Sequence, residues 1–169
     1  MPTHRPIAEL EAMVGESVQS VEGLAVEASK VREFARALRD ENPIHQSESV
    51  ANERGFSAPL APLTFVRSAD FEYNRTEEVG DHKHYGFDLG FDERYEVHGE
   101  ESYEFERPLE IGDVLDGVTT LEDVYQREGR EGGTMTFVVL KTEYYDQHDD
   151  LVVTQRTTTI ETSPGDNDE

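Results

Sequence analysis

Apolar residues recur at helical spacing early in the chain and at strand spacing late in it. Val31, Phe34, Ala35 and Leu38 stand at i, i+3, i+4 and i+7, one face of a helix that Ser29 is placed to cap. Asp40-Glu41-Asn42-Pro43 ends it, because proline excludes helical angles from the residue before it. Upstream, the mixed spacing of Val18, Val21, Leu24 and Val26 predicts a strand entering that helix, with Val14 to Val26 the first ordered segment. A short helix over Ser47 to Arg54 is closed by Gly55 in the left-handed conformation that glycine reaches cheaply. A second, apolar helix runs from Leu63 through Phe71, with Pro62 tolerated at its first turn.

Between Asn74 and Asp92 the chain turns polar around Gly80, Gly86 and Gly90, which predicts a loop or flap. Strands follow over Tyr95 to Glu106, Val114 to Glu128, Thr134 to Tyr145 and Leu151 to Glu161, rich in β-branched residues. Gly132-Gly133 and His148-Asp149-Asp150 supply turns, and the last three strands form an antiparallel meander. Helices first and consecutive strands afterwards predict an α+β fold, an antiparallel sheet packed on a helix. One domain spans residues 1–162, and the acidic tail 163–169 has nothing to bury and is expected to be disordered.

The chain has 169 residues, a size that one core can serve. Fifteen Lys and Arg stand against 38 Asp and Glu, a formal net charge of −23. That charge repels a phosphate backbone and an anionic membrane surface, which argues against nucleic-acid and membrane partners. The acids are scattered among Val, Leu, Phe and Tyr, as in a folded protein, not gathered into blocks. Lysine occurs only at Lys30, Lys83 and Lys141. An acidic, lysine-poor surface fits concentrated salt and predicts a halophilic source. Absence of cysteine excludes disulfides, a thiol nucleophile and thiolate metal sites. No apolar leader precedes Met13 and no 18-residue apolar window occurs, so the expected compartment is the cytoplasm.

The chemistry concentrates in Asp40-Glu41-Asn42-Pro43-Ile44-His45. A carboxylate and an imidazole five residues apart, on backbone stiffened by proline, are groups that move a proton and activate water. The same run also serves simply as a helix stop. Asp81, His82, His84, Asp88 and Asp92 carry metal-ligating side chains, but their spacing suits a solvated loop and predicts no metal. His98 is expected as a hydrogen-bonded strand residue, and Arg107-Pro108 as a strand end. Gly129 to Gly133 lacks the strand-loop-helix context of a nucleotide loop. Tyr144 and Tyr145 should face opposite sides of a strand.

Asp40, Asn42, Pro43, Ile44 and His45 resemble the signature of the MaoC-like (R)-specific enoyl-CoA hydratases and 3-hydroxyacyl dehydratases, with Arg39 in place of the family's glycine. Gly55-Phe56 and Ala61-Pro62-Leu63-Thr64-Phe65 are similar to the entry of that family's central helix, in the form of its N-terminal-type dehydratase subunits. His98-Gly99-Glu100, Tyr103-Glu104-Phe105, Arg107-Pro108-Leu109 and Gly112-Asp113 resemble the same branch.

The resemblance implies a hot-dog fold, a curved antiparallel sheet wrapped around a central helix, paired as a homodimer or a heterodimer with another hot-dog subunit. It implies reversible hydration of acyl-CoA-type enoyl thioesters to (R)-3-hydroxyacyl products without a cofactor. Asp40 and His45 would be the catalytic dyad, and Asn42, Leu63 and Thr64 would contact substrate, the N–H of Leu63 or Thr64 polarising the thioester carbonyl. Two other readings stay open: a non-catalytic hot-dog subunit that binds the acyl chain beside a catalytic partner, and a hot-dog thioesterase.

Overall fold

The computed structural model describes residues 5–69, 84–129 and 133–162. Its five strands are β1 (Ser17–Ala25), β2 (Glu96–Phe105), β3 (Val114–Glu128), β4 (Thr134–Tyr145) and β5 (Leu151–Thr162). They form one antiparallel sheet in the order β1-β3-β4-β5-β2. The expected meander is β3-β4-β5: Leu121 pairs with Leu140 and Lys141 with Arg156. Three α-helices lie wholly within the described residues: α1 (Ile7–Ala12), α2 (Ala28–Leu38) and α3 (Glu48–Glu53).

Alternation decides the faces of the sheet. On β4, Thr136, Val138, Leu140, Thr142 and Tyr144 are buried and their neighbours only partly so, the period-2 signature of a sheet with one covered face. One cluster covers one end of this face: Val31 of α2 with Ala61, Phe65 and Val66 over Leu115, Tyr144 and Val153. The second cluster sets Leu10, Tyr85, Phe87 and Leu89 against Leu121, Val138 and Leu140. Between apolar positions runs a polar string: the Tyr144 hydroxyl donates to Gln155 Oε1 at 2.9 Å, and Gln155 Nε2 donates to the Tyr85 hydroxyl at 2.9 Å. Tyr144 is buried and Tyr145 only partly so, as alternation requires.

Several expectations need correction. Order begins before Val14, because α1 folds over Ile7–Ala12; its single fully buried residue, Leu10, leaves no periodicity to read. Glu27, not Ser29, is the N-cap of α2, in extended conformation and without a side-chain cap bond. Leu38, assigned to the apolar face, is 53% exposed. The expected helix from Leu63 opens as a 3-10 turn over Phe65–Ser68, with Ala69 α-helical after it and Leu63 itself 61% exposed; Asp70 and Phe71 lie outside the described residues. The polar segment from Asn74 is described only from His84 onward, and there it is core: Gly86 and Gly90 carry positive φ and let Tyr85, Phe87 and Leu89 turn inward. The 163–169 tail also lies outside the described residues.

Candidate active site

The site grows from the C-terminus of α2. Arg39 follows the helix at φ 57°, ψ 33°, the left-handed cap in which glycine is the usual residue. The Asp40 N–H then donates to the Ala35 carbonyl at 2.8 Å and the Arg39 N–H to Arg36 at 3.0 Å, closing the helix end and fixing where Asp40 leaves it. Asn42 accepts the Ile44 N–H on its Oδ1 at 3.1 Å, capping a 3-10 turn over Pro43–His45. That turn drives Ile44 and His45 inward, to 7% and 8% exposure.

Asp40 and His45 meet: Oδ2 lies 3.0 Å from Nε2. On the far side of the ring, Nδ1 lies 2.8 Å from the Leu60 carbonyl oxygen. A carbonyl only accepts, so the hydrogen bond to Leu60 is donated by Nδ1, and Nε2 is left facing the carboxylate oxygen. The Asp40 carboxyl is held below the usual carboxylate range, first by the Asn42 N–H donating to Oδ1 at 3.0 Å and next by the His45 hydrogen bond. The arrangement sets a half-exposed carboxylate within hydrogen-bond distance of a buried, backbone-anchored imidazole.

A pocket of about 480 Å³ opens on this pair, lined by Arg32, Arg36 and Arg39 and by Asp40, Glu41, Asn42 and His45. The structure thus gathers three of the expected site residues, Asp40, Asn42 and His45. Leu63 and Thr64 do not line that pocket. They follow Leu60, whose N–H donates to Ile44 at 3.0 Å and whose carbonyl holds His45. Their own N–H groups find no acceptor among the described residues. Two contributors were missed from sequence, the Leu60 carbonyl and the arginine row of α2; the 32, 36, 39 spacing was the available signal for the second.

The other candidates resolve into structural contacts. His84 Nε2 lies 3.2 Å from Glu96 Oε2, Asp88 pairs with Arg5 and Asp92 with Arg94; Asp81 and His82 lie outside the described residues. Among the described residues no group of three or more His, Asp or Glu could hold a metal. His98 is half exposed on β2, 3.4 Å from Glu101. Arg107 bridges Asp113 and Asp146, each at 2.8 Å, tying the end of β2 to the β3 and β4 termini. Gly129 and Gly133 close the β3-β4 hairpin, the Gly129 N–H donating to Gly133 at 3.0 Å. No helix among the described residues is long and apolar enough to cross a membrane.

Comparison with known proteins agrees with this architecture. Residues 12–155 match the family model described as FAS1-like, dehydratase domain region. A UPF0336 protein of Streptomyces avermitilis is 30% identical over 144 residues, 85% of this chain and 89% of the relative. The structure of the HadBC (3R-hydroxyacyl-ACP dehydratase) complex from Mycobacterium tuberculosis superposes with a TM-score of 0.66 at 25% identity, covering 88% of this chain and 96% of that one. A MaoC-like dehydratase superposes with a TM-score of 0.73 at 28% identity, covering 90% of this chain but 43% of the other. The fold is therefore the hot-dog fold of the MaoC-like dehydratases, and the chain belongs to the family of the FAS1-like dehydratase domain region.

Proposed function

We propose that the chain is a hydro-lyase that reversibly hydrates trans-2-enoyl thioesters to (R)-3-hydroxyacyl thioesters, with Asp40 and His45 as its dyad. The observation that carries this reading is the 3.0 Å contact between Asp40 Oδ2 and His45 Nε2, on a ring held through Nδ1 by the Leu60 carbonyl. In hydration, water gives its hydroxyl to the β-carbon and one proton to the dyad, while the dyad delivers one proton to the α-carbon; the pair ends as it began. An N–H of Leu63 or Thr64 would take the developing charge on the thioester oxygen. Asn42 has its Oδ1 engaged by the Ile44 N–H, so its contact with substrate falls to the Nδ2 amide. Acyl-CoA is the proposed substrate, and no cofactor is needed. The (R)-hydratase and dehydratase branch, a cytoplasmic location and a halophilic source belong to the same proposal, the last supported by the charge of −23.

Crotonyl-CoA hydration by the purified chain in molar potassium chloride tests it. Wild type should consume the enoyl absorbance, and Asp40→Asn or His45→Gln should each lower kcat by about 100-fold or more with the fold intact. Release of free thiol instead of hydration would make the chain a thioesterase.

A second reading, a non-catalytic hot-dog subunit paired with a catalytic one, is favoured by the Ala61-Pro62-Leu63-Thr64-Phe65 entry and by similarity to a two-chain complex. A folded wild type inactive across several acyl lengths would establish it.

A further inference from the structure

We propose that Arg32, Arg36 and Arg39 hold the phosphate of the pantetheine arm that carries the thioester. The inference rests on the thioester reading above and adds where the carrier end lies. The chain carries a net charge of −23, yet the pocket beside the dyad sets three guanidinium groups against two carboxylates, Asp40 and Glu41. Its local sign is the reverse of the surface around it.

These guanidinium groups are also uncommitted. Arg5, Arg67, Arg94, Arg107 and Arg156 are bound in ion pairs and Arg127 lies over Tyr125 and Phe137. Arg32, Arg36 and Arg39 form no ion pair or ring contact among the described residues, a state shared there only by Arg54. In a protein with 38 acids, three arginines left unpaired in one cavity are available for an anion that arrives with the ligand.

Spacing gives the direction of the arm. Positions 32 and 36 fall on one side of α2 and Arg39 directly follows its end, and a rise of about 1.5 Å per residue sets Arg32 roughly 10 Å back along the helix from that end. Arg39 adjoins Asp40, so the row leads away from the dyad. A thioester with its reacting carbons at Asp40 and His45 would lay its pantetheine chain along the row and its phosphate among the guanidinium forks, which match phosphate oxygens bidentately. That phosphate is common to coenzyme A and to the prosthetic arm of carrier proteins.

The test uses the full chain, wild type and R32Q/R36Q, in half-molar potassium chloride with folding checked by circular dichroism. Crotonyl thioesters of pantetheine, 4′-phosphopantetheine and coenzyme A are compared. Wild type should prefer the two phosphorylated substrates, and the variant should lose at least tenfold of that preference, chiefly through KM. An unchanged preference, or an equal loss on all three substrates, would overturn the proposal.

Calorimetric binding of coenzyme A itself involves no turnover and so separates this proposal from the hydration reading. Binding by wild type that weakens tenfold in the variant supports the arginine row even if no hydration is seen. Failure of wild type to bind coenzyme A overturns it even if hydration is seen. Adenosine 3′,5′-bisphosphate distinguishes the sources: competition with crotonyl-CoA places the nucleotide phosphates on the row, whereas no competition, with the phosphopantetheine preference retained, leaves only the arm's own phosphate there, as on a carrier protein.

Discussion

Arg39 holds a left-handed conformation, φ 57°, that costs an L-residue with a Cβ about 1 kcal/mol. Arg39→Gly should relieve that cost and raise stability by about 0.5–1 kcal/mol, read as a Tm higher by roughly 2–4 °C. The ion cluster at Arg107 acts in the other direction. Asp113 and Asp146 are buried at 7% exposure each and both bind its guanidinium. Arg107→Gln would leave two carboxylates without their cation and should cost about 2–3 kcal/mol in a denaturant titration.

The same contacts set the response to acid. The Asp146 carboxyl is held low first by Arg107, and Asp40 first by the Asn42 N–H. Both groups bind protons less readily folded than unfolded, so their stabilisation is complete above the ordinary carboxylate value near 3.9 and is lost as pH falls below it. Unfolding followed from pH 6 to pH 2 should show that loss, and Arg107→Gln should flatten it.

At the scale of elements, the meander was legible because buried strands with one covered face write their alternation into the sequence; β3 and β4 follow the expected bounds, Val114–Glu128 and Thr134–Tyr145. The meeting of Asp40 with His45 was legible as a helix stop followed by histidine. Three things were not. Helix α1 offers one buried residue, Leu10, and a single position has no period; Leu10→Ala should nevertheless cost about 3 kcal/mol, since the side chain is fully buried. Tyr85, Phe87 and Leu89 were hidden by glycines that signal a loop while serving to turn aromatics inward. The Leu60 carbonyl is backbone, and no side-chain pattern announces which carbonyl will meet a distant imidazole. Because the Asp40 N–H closes α2 on Ala35, the carboxylate's position and the helix end share one equilibrium. Slow hydrogen exchange at the Asp40 amide is expected, and Ser or Asp at Pro43 should speed it while lowering turnover.

At the scale of the molecule, the sheet ends on β1 and β2, each with a single neighbour among the described residues. The β2 edge presents Val97, half exposed, beside exposed Glu100, with Glu104 paired to Arg156. Two such edges laid together would bring their glutamates to within about 5–10 Å, inside the screening length of roughly 10 Å at 0.1 M salt but beyond the roughly 3 Å of 1 M. Any edge pairing between copies is therefore expected to follow ionic strength: dilute salt should keep the strands apart, and concentrated salt should leave only the attraction of an open edge and an apolar residue. Sedimentation of the folded chain should shift from monomer to dimer between 0.1 M and 2 M potassium chloride, and E100Q should move that shift to lower salt. A sedimentation coefficient that ignores salt would exclude that dependence. On that expectation the strand edge would read the surroundings, with assembly only where the solvent is concentrated enough to hide the chain's own charge from itself.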